Sequence, residues 1–72
     1  MNQNVKIILE IMKNMPSYKF EGVVIPKSLG YEQIGMSIDE FDEAIRYIED
    51  NRFLENLITI YENNKIVMIK IS

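Results

Sequence analysis

Residues 35–51 read GMSIDEFDEAIRYIEDN and carry the clearest structural signals in the chain. Ser37 stands where an N-cap side chain accepts from the amide three residues later, and Glu40 stands where a carboxylate reaches back to the cap amide. Met36 before the cap and Phe41 in the first turn are spaced as a hydrophobic staple. The stretch therefore predicts a helix with a defined start at Ser37.

This helix is predicted to have one buried face. Apolar residues recur at helical spacing and form a stripe of Phe41, Ala44, Ile45 and Ile48. The helix should end near Asn51, because asparagine tolerates the left-handed conformation that often follows a helix.

Residues 16–36, which precede this helix, are irregular. The β-branched run Val23–Ile25 predicts a short strand. Residues 27–34 are predicted to form a short second helix, and Gly35 to end it in a tight turn.

The N-terminal residues 1–15 predict a first helix. Its apolar stripe, at i, i+3, i+4 and i+7, consists of Val5, Ile8, Leu9 and Met12. Asn4 or Asn2 is positioned to cap its start. Pro16 ends it, because the residue before a proline is disfavoured in the helical conformation.

The C-terminal part predicts a hairpin with strands at residues 57–61 and 66–71. Asn63 and Asn64 suit a two-residue type I′ turn, which requires positive φ angles at both positions. The turn sets the expected cross-strand pairs, namely Glu62 with Lys65, Tyr61 with Ile66, Ile60 with Val67, Thr59 with Met68, and Ile58 with Ile69.

In this register the hairpin has two different faces. The expected core face consists of Ile58, Ile60, Val67, Ile69 and Ile71. The other face carries an apolar patch of Leu57, Tyr61, Ile66 and Met68. Exposed apolar patches usually mark interaction sites, so the patch predicts a protein interface. Because a core this small is thin, we expect self-association, most simply as a homodimer.

Composition narrows the possible classes. The chain has 72 residues, which indicates a single domain over residues 1–72. It has no cysteine and no histidine, which excludes a disulfide, a thiolate or imidazole zinc site and a histidine-based triad. It has neither a membrane-length apolar run nor a basic signal-peptide start. We therefore expect a cytoplasmic, non-enzymatic protein without a cofactor, a metal ion or a membrane contact.

Charge is unevenly distributed. The chain carries 11 acidic and 8 basic residues, a net charge of −3. Residues 37–52 alone hold six acids and two bases. Asp39, Asp42 and Glu43 form an acidic face near the start of the helix, where the helix dipole favours negative charge.

The predicted order of elements is helix, short strand, short helix, turn, capped helix and two-stranded hairpin. This α+β arrangement of three helices with a C-terminal wing resembles the winged helix-turn-helix. The stretch IGMSIDEFDEA, residues 34–44, is similar to the YjcQ-like group of small winged-helix proteins from Gram-positive phages and prophages. Arg52 departs from the pattern, because many winged helices have glycine after the third helix.

The resemblance implies that the helix at residues 37–51 would enter the major groove of DNA. The candidate contact residues are Lys27, Ser28, Arg46, Tyr47 and Lys65. Local alternatives exist for three of them. Arg46 is spaced to pair with Asp42 or Asp50, Lys65 to pair with Glu62 across the turn, and Tyr47 to lie at the rim of the core.

Two functions follow as hypotheses. The resemblance implies a DNA-binding regulator of phage or mobile-element origin. The acidic helix instead favours a protein-interaction module, or an inhibitor whose carboxylates replace phosphates toward a host DNA-binding protein. The partner is therefore expected to be either DNA or a host or phage protein.

Overall fold

The computed structural model describes residues 2–71 and shows an α+β fold with two α-helices and two antiparallel sheets. Met1 and Ser72, the first and last residues of the predicted domain, lie outside the described residues. In chain order the elements are α1 (Gln3–Asn14), β1 (Tyr18–Phe20), β2 (Val23–Ile25), β3 (Lys27–Gly30), a 3₁₀ turn (Tyr31–Ile34), α2 (Ile38–Asp50), β4 (Leu57–Glu62) and β5 (Lys65–Ile71). Strands β1 and β2 form one sheet, and the other has the order β3-β5-β4.

The core lies between the two helices and the three-stranded sheet. Helix α2 packs against both α1 and β5. The buried apolar residues are Val5, Ile8, Met12, Leu29, Met36, Phe41, Ala44, Ile45, Ile48, Ile66 and Ile69. The stripes predicted for both helices therefore form most of this core, although Leu9 packs only partly buried at its edge.

Helix α1 begins and ends close to the predicted positions. The side chain of Asn2 accepts a hydrogen bond of 2.8 Å from the amide of Val5, so Asn2 is the N-cap rather than Asn4. Met15 already has extended backbone angles, as its position before Pro16 requires.

The capping box of α2 is confirmed. Ser37 Oγ accepts from the amide of Glu40 at 3.1 Å, and Glu40 Oε1 accepts from the amide of Ser37 at 3.0 Å. Hydrogen bonding from the Ser37 amide and hydroxyl holds the pKa of Glu40 below its usual value. Met36 and Phe41 are both buried, as the predicted staple requires.

We expect Ser37→Ala to lower the free energy of unfolding by about 1 kcal/mol, because the amide of Glu40 loses its acceptor. Ser17→Ala is the matched control, since Ser17 is exposed and lies outside the helices and strands. Urea denaturation followed by circular dichroism measures both. Equal midpoints for the two variants would contradict a stabilising cap at Ser37.

Helix α2 ends next to Asn51, as predicted, but the left-handed residue at its end is Arg52 rather than Asn51. Asn51 keeps right-handed helical angles, and Arg52 takes the left-handed conformation with φ of 53°. The Asn51 side chain explains the difference, because its Nδ2 donates a 2.8 Å hydrogen bond to the carbonyl oxygen of Tyr47. The same carbonyl oxygen accepts from the Asn51 amide at 3.1 Å, so two hydrogen bonds hold Asn51 in the last turn of the helix and the reversal of the chain falls on Arg52.

The prediction of a helix over residues 27–34 is wrong for its first half. Lys27–Gly30 is a strand that pairs with β5, and only Tyr31–Ile34 is helical, as a single 3₁₀ turn. The edge of β5 offers the backbone of these residues hydrogen-bond partners that a sequence pattern does not reveal. Gly35 ends the turn in the left-handed conformation, as predicted.

The turn of the C-terminal hairpin is confirmed, but the register beyond it is not. Asn63 and Asn64 both have positive φ, and Tyr61 pairs with Ile66 as expected. Ile60 then pairs with Met68 rather than with Val67. Val67 is thus the extra residue of a β-bulge, which shifts every later pair by one.

The bulge changes which hairpin residues are buried. Ile66 is fully buried, with 0% of its surface exposed, and Leu57 packs against the core. Ile58, which was assigned to the core, is 51% exposed. The assignment of the two faces was therefore wrong for β4 and for the beginning of β5, although Ile69 and Ile71 do lie on the core side.

Candidate functional site

Helix α2 is joined to the C-terminal hairpin through the carboxylate of Asp42. Its Oδ1 accepts a 2.9 Å hydrogen bond from the amide of Ile66 and a 3.0 Å hydrogen bond from Arg46 Nε. Only 7% of Asp42 is exposed. Because the two donors come from the helix and from the start of β5, this contact fixes the hairpin against α2.

Arg46 adds further contacts to the same junction. Its Nη2 donates to the carbonyl oxygen of Asn64 at 3.1 Å, and its guanidinium lies 5.7 Å from the centre of the Tyr61 ring. The side chain remains 48% exposed. Of the two partners predicted for Arg46, the structure shows Asp42.

Lys65 makes an ion pair with α2 rather than with the neighbouring strand. Its Nζ lies 3.2 Å from Asp39 Oδ1, across the gap between the turn and the helix. The expected partner, Glu62, is opposite Lys65 in the register but does not form the ion pair. Since both side chains are largely exposed, this pair adds little stability.

Asp42 is ionised at neutral pH despite its burial. Burial by itself raises the pKa of this carboxyl group. Hydrogen bonds from the Ile66 amide and from Arg46, together with the positive charges of Arg46 and Lys65, outweigh burial, so the pKa lies below its usual value. Asp42 is thus a buried anion that joins elements of the fold. The prediction from the sequence, which placed it on an exposed acidic face, is wrong for this residue.

The outer face of α2 is predominantly acidic. Its exposed residues at i, i+4, i+7 and i+11 are Asp39, Glu43, Arg46 and Asp50. We call these four residues the α2 stripe. Arg46 neutralises Asp42 and Lys65 pairs with Asp39, so Glu43 and Asp50 are the two carboxylates of the α2 stripe that form no ion pair among the described residues.

The structure brings together only some of the predicted DNA contacts. Arg46, Tyr47 and Lys65 lie on α2 and at the hairpin turn. Lys27 and Ser28 pair with the far end of β5, about 20 Å from its start at 3.3 Å per residue. Lys27 and Ser28 therefore lie apart from the other three residues.

Lys27 and Tyr47 also have local contacts. Lys27 Nζ donates to the carbonyl oxygen of Met12 at 3.4 Å and so ties β3 to the end of α1. The Tyr47 ring lies 6.0 Å from the ring of Phe53, in a tilted arrangement at the helix end. Tyr47, which is 42% exposed, thus contacts the segment that leaves α2.

The apolar patch predicted as a protein interface is divided by the bulge. Leu57 and Ile66 belong to the core side, and Tyr61 lies beneath Arg46. Met68 is partly buried and faces a groove beside the 3₁₀ turn. Ile66 in particular is inaccessible, so these residues cannot act together as an exposed surface.

A different apolar surface was missed by the sequence analysis. Residues 18–25 form a hairpin whose apolar side chains are exposed. Only Val23–Ile25 was predicted as a strand, because the turn residues Glu21 and Gly22 are a weaker hairpin signal than Asn-Gly or Asp-Gly. The alternating pattern Tyr-Lys-Phe before the turn was the signal that could have indicated its partner strand.

Residues 2–71 form several surface grooves. One groove, of about 500 Å³, runs along α1 and is lined mainly by apolar side chains. No three acidic, histidine or cysteine side chains in this part of the chain converge on a point that could hold a metal ion. Neither described helix has the length and apolar character needed to cross a bilayer.

Comparisons with protein-family models, curated proteins and solved structures found no match to this chain. Function is therefore inferred from the surface that α2 forms with the hairpin.

Proposed function

We propose that the protein is a non-enzymatic binding module of the winged-helix class, which uses the α2 stripe to bind a positively charged surface of another protein. The order of the elements supports the class. Strand β3 and a helical turn precede α2, the hairpin follows it, and β3 adds to the free edge of β5 in that hairpin. In this proposal the hairpin corresponds to the wing beside α2.

The observation that carries this proposal is the state of the basic side chains around α2. Arg46 is bound to Asp42 and to the Asn64 carbonyl, and Lys65 is paired with Asp39. The carboxylates of Glu43 and Asp50 remain exposed on the same face. The surface therefore attracts cations, and its charge complements a basic protein surface.

DNA binding through this surface would have a large cost. The positive charge of Arg46 is already offset by Asp42, so a phosphate contact through its remaining N–H groups would gain little net attraction. Glu43 and Asp50, which form no ion pair among the described residues, would approach the phosphates without compensation. A protein that normally contacts DNA offers a complementary basic surface, so we propose a host DNA-binding protein as the partner.

The resemblance to small phage and prophage proteins, together with the choice of partner, supports a cytoplasmic protein of phage or mobile-element origin. An acidic module that occupies the DNA-contacting surface of its partner would act as an inhibitor.

A DNA-binding regulator is the second candidate. One observation favours it, namely that Arg46, Tyr47 and Lys65 share the α2–hairpin surface and are each partly exposed. In this alternative Arg46 and Lys65 would exchange their intramolecular partners for phosphates.

Removing negative charges from the α2 stripe distinguishes binding to a basic protein surface from binding to DNA. We expect Asp39→Asn/Glu43→Gln to weaken binding of a ten-residue lysine- and arginine-rich peptide at least about fivefold at low salt, because complementary charge is lost. The matched control is Glu10→Gln/Glu55→Gln, which removes the same charge from exposed positions outside α2. Fluorescence anisotropy gives the affinities, and amide chemical shifts give the location of the peptide.

A 30-base-pair duplex serves as the second probe in the same buffer. Stronger duplex binding by the stripe variant than by the native protein would support the regulator and overturn the first candidate. Equal loss of peptide binding in the stripe variant and in the control would also contradict a role for the α2 stripe.

A further inference from the structure

The β1–β2 hairpin stands apart from the rest of the fold. Its two strands pair only with each other, around a turn at Glu21 and Gly22 whose φ angles are both positive. Directly paired residues lie on the same side of a hairpin, so one side is entirely apolar. That side consists of Tyr18, Phe20, Val23 and Ile25.

This apolar side is open to solvent. Each of its four residues has between 46% and 66% of its surface exposed. At roughly 100 Å² for each exposed side chain, the patch covers about 400 Å². An isolated two-stranded hairpin is marginally stable in water, and an apolar patch of this size usually marks a contact. The hairpin therefore requires a cover that the single chain does not supply.

A groove of matching character lies along α1. Ile7, Ile11 and Met15 follow each other at i and i+4, and Glu10 and Asn14 complete the lining. The groove has a volume of about 500 Å³. These apolar side chains are only partly buried, because the fully buried stripe of α1 faces the other elements of the core. The groove and the hairpin are adjacent in the chain, on either side of Pro16.

We propose that the hairpin of one copy docks its apolar side into the α1 groove of a second copy, and the reverse, in a two-fold symmetric dimer. A two-fold axis close to Pro16 makes this exchange reciprocal, because it relates each hairpin to the other copy's groove. The dimer therefore contains two equivalent contacts, and in each of them the hairpin patch of one copy covers the α1 groove of the other.

The area distinguishes this arrangement from simpler ones. Two hairpins packed face to face would bury about 800 Å² in total, which is the size of a weak lattice contact. Two reciprocal hairpin–groove contacts bury about 400 Å² on each hairpin and less on each groove, whose apolar side chains are only partly exposed, so they bury about 1,000 Å² in all, near the lower limit for a specific interface.

The distribution of charge also favours an interface formed by α1 and the β1–β2 hairpin. Residues 2–36 carry four lysines and three glutamates, whereas residues 37–52 carry the six acids noted above. Two copies can approach through α1 and the hairpin without strong repulsion, whereas two α2 stripes would repel each other. The dimer leaves the α2 stripe free, so it would present two such surfaces.

Sedimentation equilibrium over a range of protein concentrations tests the dimer. We expect a reversible monomer–dimer equilibrium for the native chain. Phe20→Glu on the hairpin and Ile11→Lys in the groove should each weaken association at least about tenfold, because each places a charge in the apolar contact. Combining the two substitutions should restore part of the affinity, because the new charges are opposite and meet across the interface.

Two further variants control the result. Ile58→Lys, on the outer face of the three-stranded sheet, should leave association unchanged. Asn14→Trp fills the groove with a bulky side chain from an exposed position. It is used in place of Ile11→Lys if circular dichroism shows that Ile11→Lys is unfolded. A monomeric native chain, a dimer that tolerates Phe20→Glu, or a dimer disrupted by Ile58→Lys but not by the groove variants would overturn the proposal.

Discussion

Asp42→Ala is expected to lower the free energy of unfolding by about 2–4 kcal/mol, because the buried amide of Ile66 loses its acceptor and Arg46 loses its partner. A domain of this length has a total stability of about 4–11 kcal/mol. The substitution should therefore remove a substantial part of that stability. Urea denaturation followed by circular dichroism measures the difference from the native chain.

Asp42→Asn should have a smaller effect of about 1–2 kcal/mol, because an amide oxygen can still accept from Ile66 but carries no charge. Glu43→Gln is the matched control on the exposed side of the same helix, and its change should stay within about 0.5 kcal/mol. Equal losses at positions 42 and 43 would contradict the role of Asp42 in joining α2 to the hairpin.

The same carboxylate predicts how stability depends on pH. The pKa of Asp42 is lower in the folded chain than in the unfolded chain. Its ionised form therefore stabilises the fold above the unfolded pKa of about 3.9, and this contribution is lost as the pH falls through the lower folded pKa. Denaturation midpoints between about pH 6 and pH 2 should decline less steeply for Asp42→Asn than for the native chain.

Ile66→Ala is the second substitution with a large expected effect. Ile66 is fully buried, and removing its side chain should cost about 2–4 kcal/mol through lost apolar contact and the cavity that remains. Ile58→Ala makes the same chemical change on the neighbouring strand at a half-exposed position, so it should cost less than about 1 kcal/mol. Thermal or urea unfolding of both variants under one set of conditions provides the comparison.

This pair of variants tests the bulge directly. An unbulged hairpin would bury Ile58 and expose Ile66, and would reverse the order of the two losses. Cross-strand amide contacts seen by NMR give an independent measurement, because the bulge places Ile60 opposite Met68. Contacts between Ile60 and Val67 would contradict it.

The functional interpretation depends on the same junction. Arg46 and Lys65 are predicted from the sequence as DNA contacts because of their type and their place in a winged helix. The structure shows both in contact with acidic residues of α2, an arrangement that couples the hairpin to the helix. Basic residues that neutralise their own helix contribute little to phosphate binding, which is why the proposed partner is a basic protein surface.

The features that could be predicted from the sequence are local ones. Asn2, Ser37 with Glu40, Gly35, and the Asn63-Asn64 turn each act within four residues of chain. Helix caps and tight turns depend on the side chains and backbone angles of adjacent residues, so their patterns are visible in a single sequence. The apolar stripes of both helices were predictable for the same reason, since helical spacing sets the faces.

The tertiary structure alone decided the features that join distant residues. Lys27–Gly30 is a strand because the edge of β5 lies beside it, more than thirty residues later in the chain. Asp42 is buried because the amide of Ile66, 24 residues away, donates to it. The bulge at Val67 inserts one residue into an otherwise regular pairing and exchanges the two faces of β4. Such contacts depend on how the elements pack. Both faces of these strands carry apolar residues, so their alternation does not show which face will be buried in the core.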